Sequence, residues 1–227
     1  MCAAAKKITK IVCMGDSITE GFGLGDDPAV YYPTALSEYL GDFYTVFNKG
    51  VTCSCVITNS IDNETMGLPY VRQPRYKEAL ELKGDIYIIM LGTNDASDGY
   101  DPNTGKKDPL GNMIKYKDLF APCYQTIIDD VKKASPNAVI FLVTPIPIMN
   151  CIWPKHQERY LAKLLPIIRR LAKDNNAYFI DLHREFLLMP QAQLEAMYQP
   201  DGLHPNMIGA QVIASIIAGY VKVKNKK

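Results

Sequence analysis

Short, nearly uninterrupted apolar runs alternate along this chain with stretches whose apolar residues recur every three or four positions. The runs are Ile8 to Met14, Tyr44 to Phe47, Asp85 to Leu91, Ala138 to Val143 and Tyr178 to Leu182. Runs of this length, apolar on both faces, fit strands buried in a parallel sheet. Helical spacing marks Tyr32 to Leu40, Tyr116 to Ala134, Lys155 to Lys173 and Met207 to Val221 instead. In the second of these, Leu119, Phe120, Cys123, Ile127 and Val131 share one face. Strand and helix in repeated alternation predict an α/β domain with right-handed crossovers. No repeat or low-complexity linker interrupts it. One domain is therefore expected over residues 1–227, with its core at about 8–221 and a basic tail at 222–227.

Two connections are longer than this plan needs. Ala96 to Met113 is polar and rich in glycine and proline, and Thr144 to Pro154 reads Thr-Pro-Ile-Pro-Ile-Met-Asn-Cys-Ile-Trp-Pro. Both follow predicted strands, so both are expected over the carboxyl ends of the sheet, where open α/β folds bind ligands.

Composition narrows the class without identifying it. The 227 residues carry 25 Lys+Arg against 24 Asp+Glu, and 48% are hydrophobic. A net charge of +1 gives no electrostatic reason to expect nucleic acid as a partner. No uninterrupted apolar run reaches the ~18 residues of a membrane span. The start, Met-Cys-Ala-Ala-Ala-Lys-Lys, lacks the apolar stretch of a signal peptide. The chain as written thus reads as cytoplasmic, with a periplasmic or secreted protein stripped of its leader as the alternative. Six cysteines include no Cys-x-x-Cys, and Cys53 and Cys55 are the one close pair. Neither a disulfide framework nor a metal site is expected from them.

Three polar turns carry candidate chemistry. Ser17 follows the first strand in Gly15-Asp16-Ser17, where Gly15 permits a tight exit turn. A serine there is by itself an ordinary helix cap. Near the other end, Asp201-Gly202-Leu203-His204-Pro205-Asn206 sets a carboxylate and an imidazole three residues apart. A serine needs a base to take its proton as it attacks, and that base needs a carboxylate to fix its tautomer. The other histidines, His156 and His183, lie in polar stretches and are expected at the surface. Gly92-Thr93-Asn94-Asp95 closes the third strand, and an Asn amide suits a developing oxyanion. In a sheet of order 2-1-3-4-5, Ser17 and Asn94 flank the switch point. Gly50, just past strand two, is placed to add a backbone N–H from the other side.

Taken in order, Gly15-Asp16-Ser17, Gly50, Gly92-Thr93-Asn94-Asp95 and Asp201-Gly202-Leu203-His204-Pro205-Asn206 resemble the four motif blocks of the SGNH (GDSL-type) hydrolases. The likeness spans residues 11–210 and is most specific in its first and last blocks. It implies a flavodoxin-like three-layer α/β/α sandwich around a five-stranded parallel sheet of order 2-1-3-4-5. It also implies ester hydrolysis through an acyl-enzyme, with Ser17 as nucleophile, His204 as base and Asp201 as its orienting acid. The oxyanion hole would comprise Ser17 N–H, Gly50 N–H and Asn94 Nδ2, with no metal or organic cofactor. After Gly50 the sequence departs from the pattern, reading Val-Thr-Cys-Ser-Cys where relatives often have a small Ser-Gly-Thr-like stretch. The segment Tyr70 to Leu80 followed by Asp85 to Ala96, and the Thr-Pro-Ile-Pro loop, look most like bacterial sialate and other carbohydrate O-acetylesterases.

The resulting expectation is a serine esterase that releases acetyl groups from a small-molecule or glycan ester. Asp16, Trp153 and Tyr100 are the candidate substrate contacts, the two aromatic rings as stacking surfaces for a sugar. A lysophospholipase or thioesterase acting on longer acyl chains is the enzymatic alternative. A nucleotide- or flavin-binding module is the non-catalytic one, suggested by Gly21-Phe22-Gly23-Leu24-Gly25 after strand one. That motif is not Gly-x-Gly-x-x-Gly, and strand two ends in Phe47-Asn48-Lys49 without an acid for a ribose. A glycosidase using Asp16, Glu20, Asp95 and Asp201 would leave His204 and Asn94 without a purpose.

Overall fold

A computed structural model describes residues 7–58, 68–97, 117–149 and 155–224. Its main sheet is parallel and five-stranded: β1 (Thr9–Gly15), β2 (Tyr44–Gly50), β5 (Ile86–Met90), β6 (Val139–Val143) and β7 (Tyr178–Ile180). The spatial order is β2-β1-β5-β6-β7. Counting main-sheet strands alone, this is 2-1-3-4-5. The numbering differs from expectation because a two-stranded parallel ribbon, β3 (Ser54–Cys55) and β4 (Leu68–Pro69), falls between the second and third main strands.

The helices are α1 (Ser17–Glu20), α2 (Tyr32–Leu40), α3 (Pro74–Glu81) and α4 (Phe120–Ala134) in the first part of the chain. After it come α5 (Lys155–Asp174), α6 (Leu182–Leu187), α7 (Gln191–Glu195) and α8 (Met207–Lys224). The spacing does not mark α1, α3, α6 or α7. Each is eight residues or shorter, and α3 buries only Tyr76 and Ala79.

Alternation along the strands divides the core between the two faces of the sheet. Val12, Met14, Tyr87, Ile89, Ile140 and Leu142 face α3, α4 and α5, meeting Ala79, Tyr124, Ile127 and Leu164 among others. Ile11, Cys13, Ile88, Met90, Phe141 and Val143 face α2 and α8, meeting Leu36, Ile213 and Ile217. Both faces are covered, which is why the strands read as continuous apolar runs. The last helix, α8, has the length and apolarity of a candidate membrane span, with 18 residues at a mean hydropathy of 1.3. Here its Ala210, Ile213, Ala214, Ile217 and Val221 are buried against the sheet and α2.

This topology sets the site. β1 and β5 are neighbours in register, Gly15 beside Met90, so the turns leaving them open side by side at the carboxyl edge. The sheet reverses direction of growth there, and the crevice lies over that switch point.

Candidate active site

The chain leaves β1 through Asp16, whose Oδ1 accepts a hydrogen bond from Ile18 N at 3.0 Å and so caps α1. That cap puts Ser17 in the first turn of α1, where its N–H has no partner within the helix. Gly15 has no room for a side chain, because a Cβ there would collide with the Thr19 side chain. The turn that carries Ser17 is thereby pressed onto the sheet edge.

The last block reaches Ser17 from the far end of the chain. His204 Nε2 lies 2.9 Å from Ser17 Oγ, and His204 Nδ1 lies 2.6 Å from Asp201 Oδ2. With its proton on Nδ1, the imidazole donates to Asp201 and leaves Nε2 to accept from the serine hydroxyl. Asp201 Oδ1 accepts from Leu203 N at 2.9 Å and His204 N at 3.0 Å, so the turn holds its own carboxylate. Burial works to raise the Asp201 pKa. The His204 ring and the two backbone N–H groups outweigh it and hold the carboxyl below its usual range. The acid therefore stays ionised beside the imidazole at neutral pH.

Asn94, in a short 3-10 turn after β5, donates from Nδ2 to Ser54 O at 2.9 Å. One amide hydrogen is thus used to fix the side chain, and the other is left over. The neighbouring Asp95 supports the acceptor. It is wholly buried, and its Oδ1 accepts from Val56 N at 3.0 Å and Ile57 N at 2.9 Å, with Oδ2 also 3.0 Å from Val56 N. Burial pushes Asp95 up to about 7 against those N–H groups, and the charge of Asp16 adds to the rise. The Gly-Thr-Asn-Asp block is thus one unit: Asp95 clamps the 54–57 segment, and that segment aims Asn94.

Two expectations about this crevice need correction. The Gly50 N–H is not an open donor, because it donates to Asn48 Oδ1 at 2.9 Å. Gly50 ends β2 beside Gly15, and a Cβ on it would collide with the Glu20 backbone nitrogen. Its missing side chain serves close packing of β2 on α1. The turn beyond it is held by Glu20, whose Oε2 accepts from Thr52 N at 2.6 Å. Within that turn Cys53 takes φ 61, a left-handed conformation unusual for a residue other than glycine. Its exposed thiol is pushed up by partial burial and by the charges of Asp16 and Glu20.

Asp16 is the second correction. It is 1% exposed and lies beneath the crevice instead of lining it. Burial raises its carboxyl to about 6, opposed by Ile18 N–H, the Thr93 hydroxyl and the charge of His204. Its Oδ2 and Thr93 Oγ1 are both buried without a hydrogen bond of good geometry. Of the expected substrate contacts, Tyr100 and Trp153 lie outside the described residues, as do the Ala96 to Met113 loop beyond residue 97 and the side chain of His156.

His183 is buried, contrary to the expectation of a surface residue. Its Nε2 lies 2.6 Å from Glu158 Oε1, and Glu158 Oε2 accepts from Ile148 N at 2.7 Å. Next along that loop, Met149 N donates to Gly202 O at 2.7 Å, inside the turn that carries Asp201 and His204. The pair braces the turn that carries Asp201 and His204. The polar sequence around His183 hides this, because its partner lies on α5, 25 residues away.

Among the described residues no three His, Cys, Asp or Glu side chains gather as a metal site. A serine, an imidazole and a carboxylate hydrogen-bonded in line over a parallel sheet are the parts that nucleophilic acyl transfer requires. The chain belongs to the GDSL-like lipase/acylhydrolase family, whose model matches residues 13–212.

Its relatives can then be named. It is 32% identical over 217 residues to an acetylxylan esterase of Xylanibacter ruminicola. That match covers 94% of this chain and 43% of the relative, so the chain spans less than half the length of the curated protein it matches. Among solved structures, it resembles the acetyl xylan esterase AlAXEase with a TM-score of 0.68 and 24% identity, over 93% of this chain and 99% of that one. The native aryl esterase of M. smegmatis matches with a TM-score of 0.65 and 20% identity, over 95% of this chain and 99% of that one. At these identities the structural likeness speaks for the fold.

Proposed function

We propose that this chain is a serine esterase that removes short acyl groups, acetyl foremost, from carbohydrate esters. The observation that carries the reading is the line Asp201–His204–Ser17, joined by contacts of 2.6 and 2.9 Å. In the first half-reaction Ser17 Oγ attacks the ester carbonyl while His204 Nε2 takes its proton. The carbonyl oxygen becomes an oxyanion, met by Ser17 N–H and the unused hydrogen of Asn94 Nδ2. The tetrahedral intermediate collapses, the C–O bond to the alcohol breaks, and His204 returns its proton to the leaving oxygen. Water then attacks the acyl-serine with the same base, releasing the acid and restoring Ser17. Asp201 remains ionised throughout and stabilises the imidazolium that forms twice in the cycle. The acetylxylan esterase relative supports acetyl as the acyl group and a glycan as the alcohol.

The test is acetate release from a panel of acetylated xylan, pectin, sialic acids and simple sugars, with an acyl-length series from acetate to decanoate beside it. Activity on an acetylated carbohydrate, with the shortest chain preferred, is the expected result. A rate peak at eight or more carbons would replace this reading by a lysophospholipase or thioesterase. Ser17→Ala should abolish turnover of every ester in the panel.

A further inference from the structure

The glycine-rich segment after α1 has no part in the chemistry above, yet it builds one wall of the crevice. Gly21 N and Phe22 N both donate to Ser17 O at 3.0 Å, so this turn is anchored on the proposed nucleophile itself. Gly21 and Gly23 take φ values of 97 and 76, in the left-handed region. A side chain at Gly21 would collide with the Tyr31 ring, and one at Gly23 with the Gln199 amide. Gln199 then joins this turn to the catalytic one. Its Nε2 donates to Phe22 O at 2.8 Å and Pro205 O at 3.0 Å, and its backbone N–H donates to His204 O at 2.8 Å.

Phe22 of this turn meets the imidazole of His204. The Phe22 and His204 ring centroids are 4.7 Å apart with planes inclined at 42°. A phenylalanine held by a hydrogen-bonded turn would ordinarily be covered, yet Phe22 is 50% exposed. Beside it runs a groove lined by Gly23, Leu24, Gln199, Asn206, Met207 and Ile208. Met207 and Ile208 are each 57% exposed, which continues the apolar surface. The polar atoms here are largely spent. Asn206 gives Nδ2 to Ala196 O and Tyr198 O and takes Ile208 N and Gly209 N on Oδ1. Both Nε2 hydrogens of Gln199 are used as well, which leaves its Oε1 as an acceptor. The wall therefore offers one open aromatic face, an apolar floor and a hydrogen-bond acceptor.

We infer that Phe22 and the adjoining groove form the subsite for the alcohol of the ester, and that its occupant is a pyranose ring. This rests on the esterase reading above and specifies which side of the substrate lies where. His204 must deliver its proton to the leaving oxygen, so that oxygen comes within hydrogen-bond reach of Nε2. The body of the alcohol then continues past the imidazole, and Phe22 is the ring packed against it. A pyranose matches this wall: its C–H face stacks on an aromatic ring and its hydroxyls can donate to an amide oxygen. A small alkyl alcohol has no ring face to stack on Phe22.

The test compares two acetate esters that share an acyl group and differ in the alcohol: monoacetylated methyl β-xylopyranoside and ethyl acetate. Phe22→Ala should lower kcat/KM on the sugar ester about tenfold more than on ethyl acetate, whatever loss the two esters share through His204. Phe22→Tyr, which keeps the ring, should stay within about threefold of the parent on both. Equal losses on the two esters would overturn the subsite, because Phe22 would then be acting on His204 alone. An unchanged rate on the sugar ester would overturn it as well. Ethyl acetate hydrolysis that is present in the parent and absent in Ser17→Ala keeps the esterase reading intact whichever way Phe22 behaves.

Discussion

Asp95 offers the most informative single perturbation, because structure assigns it opposing contributions that depend on pH. It satisfies the buried N–H groups of Val56 and Ile57, and burial raises its carboxyl from 3.8 to about 7. The folded protein thus binds a proton here that the unfolded chain gives up near pH 4. Stability from this group is full below the unfolded value and is lost as pH rises through about 7. The rise corresponds to an ionisation penalty on the order of 4 kcal/mol at alkaline pH. Asp16, raised to about 6, has the same sign.

Asp95→Asn keeps an oxygen for both N–H groups and cannot ionise. It should exceed the parent by about 1–2 kcal/mol at pH 5 and by about 4 kcal/mol at pH 8. Asp95→Ala strands two buried N–H groups, at about 1–3 kcal/mol each, so it should lose about 2–6 kcal/mol at pH 5. The same variant should lower kcat, since Ser54 O is then free to shift and Asn94 loses its anchor. Urea unfolding followed by circular dichroism at pH 5 and pH 8, with 4-nitrophenyl acetate hydrolysis alongside, measures all of this. An Asn variant whose stability follows the parent's pH dependence, or an Ala variant as stable as the parent at pH 5, would refute the reasoning.

Two other outcomes follow from the hydrogen-bond geometry. Asp201→Asn should lower kcat by about 10³–10⁴, because the amide favours the wrong imidazole tautomer, and should lose the stability that the depressed carboxyl contributes at neutral pH. Steady-state kinetics with a matched melting curve check it. Glu158→Ala strands the Ile148 N–H and leaves buried His183 without its carboxylate, at a cost of about 1–3 kcal/mol. Its kcat/KM should fall as well, because the loop that holds Gly202 loosens, and thermal melts with 4-nitrophenyl acetate kinetics would show both.

Much of this protein is legible in its sequence, and the parts that are not share a cause. Strands covered on both faces read as apolar runs, so β1, β5 and β6 stand out. Once those are placed, the switch point brings Ser17 and Asn94 together. Asp201 and His204 are legible because one turn carries both groups three positions apart. The misreadings arise where a hydrogen-bond partner, or the burial of a polar group, is not implied by residue spacing. His183 looks like a surface residue until Glu158 is beside it, and Gly50 looks like a donor until Asn48 is seen to occupy its N–H. The Gly21 to Gly25 segment suggests a nucleotide- or flavin-binding module by composition, whereas its left-handed glycines place the Phe22 ring against His204 and its carbonyl on Gln199. Asp16 is conspicuous in its motif, but only burial reveals that it is a helix cap. Local spacing carries no information about which polar groups become enclosed.

The central claim is that Ser17 Oγ is the acylated atom. Exposing the protein to a fluorophosphonate ester and mapping the adduct by peptide mass spectrometry tests it most directly. One adduct on the peptide bearing Ser17, loss of esterase activity in proportion to labelling, and no labelling of Ser17→Ala are the expected results. Full labelling at a different residue, or a Ser17→Ala protein that still hydrolyses acetate esters at the parent's rate, would contradict the account.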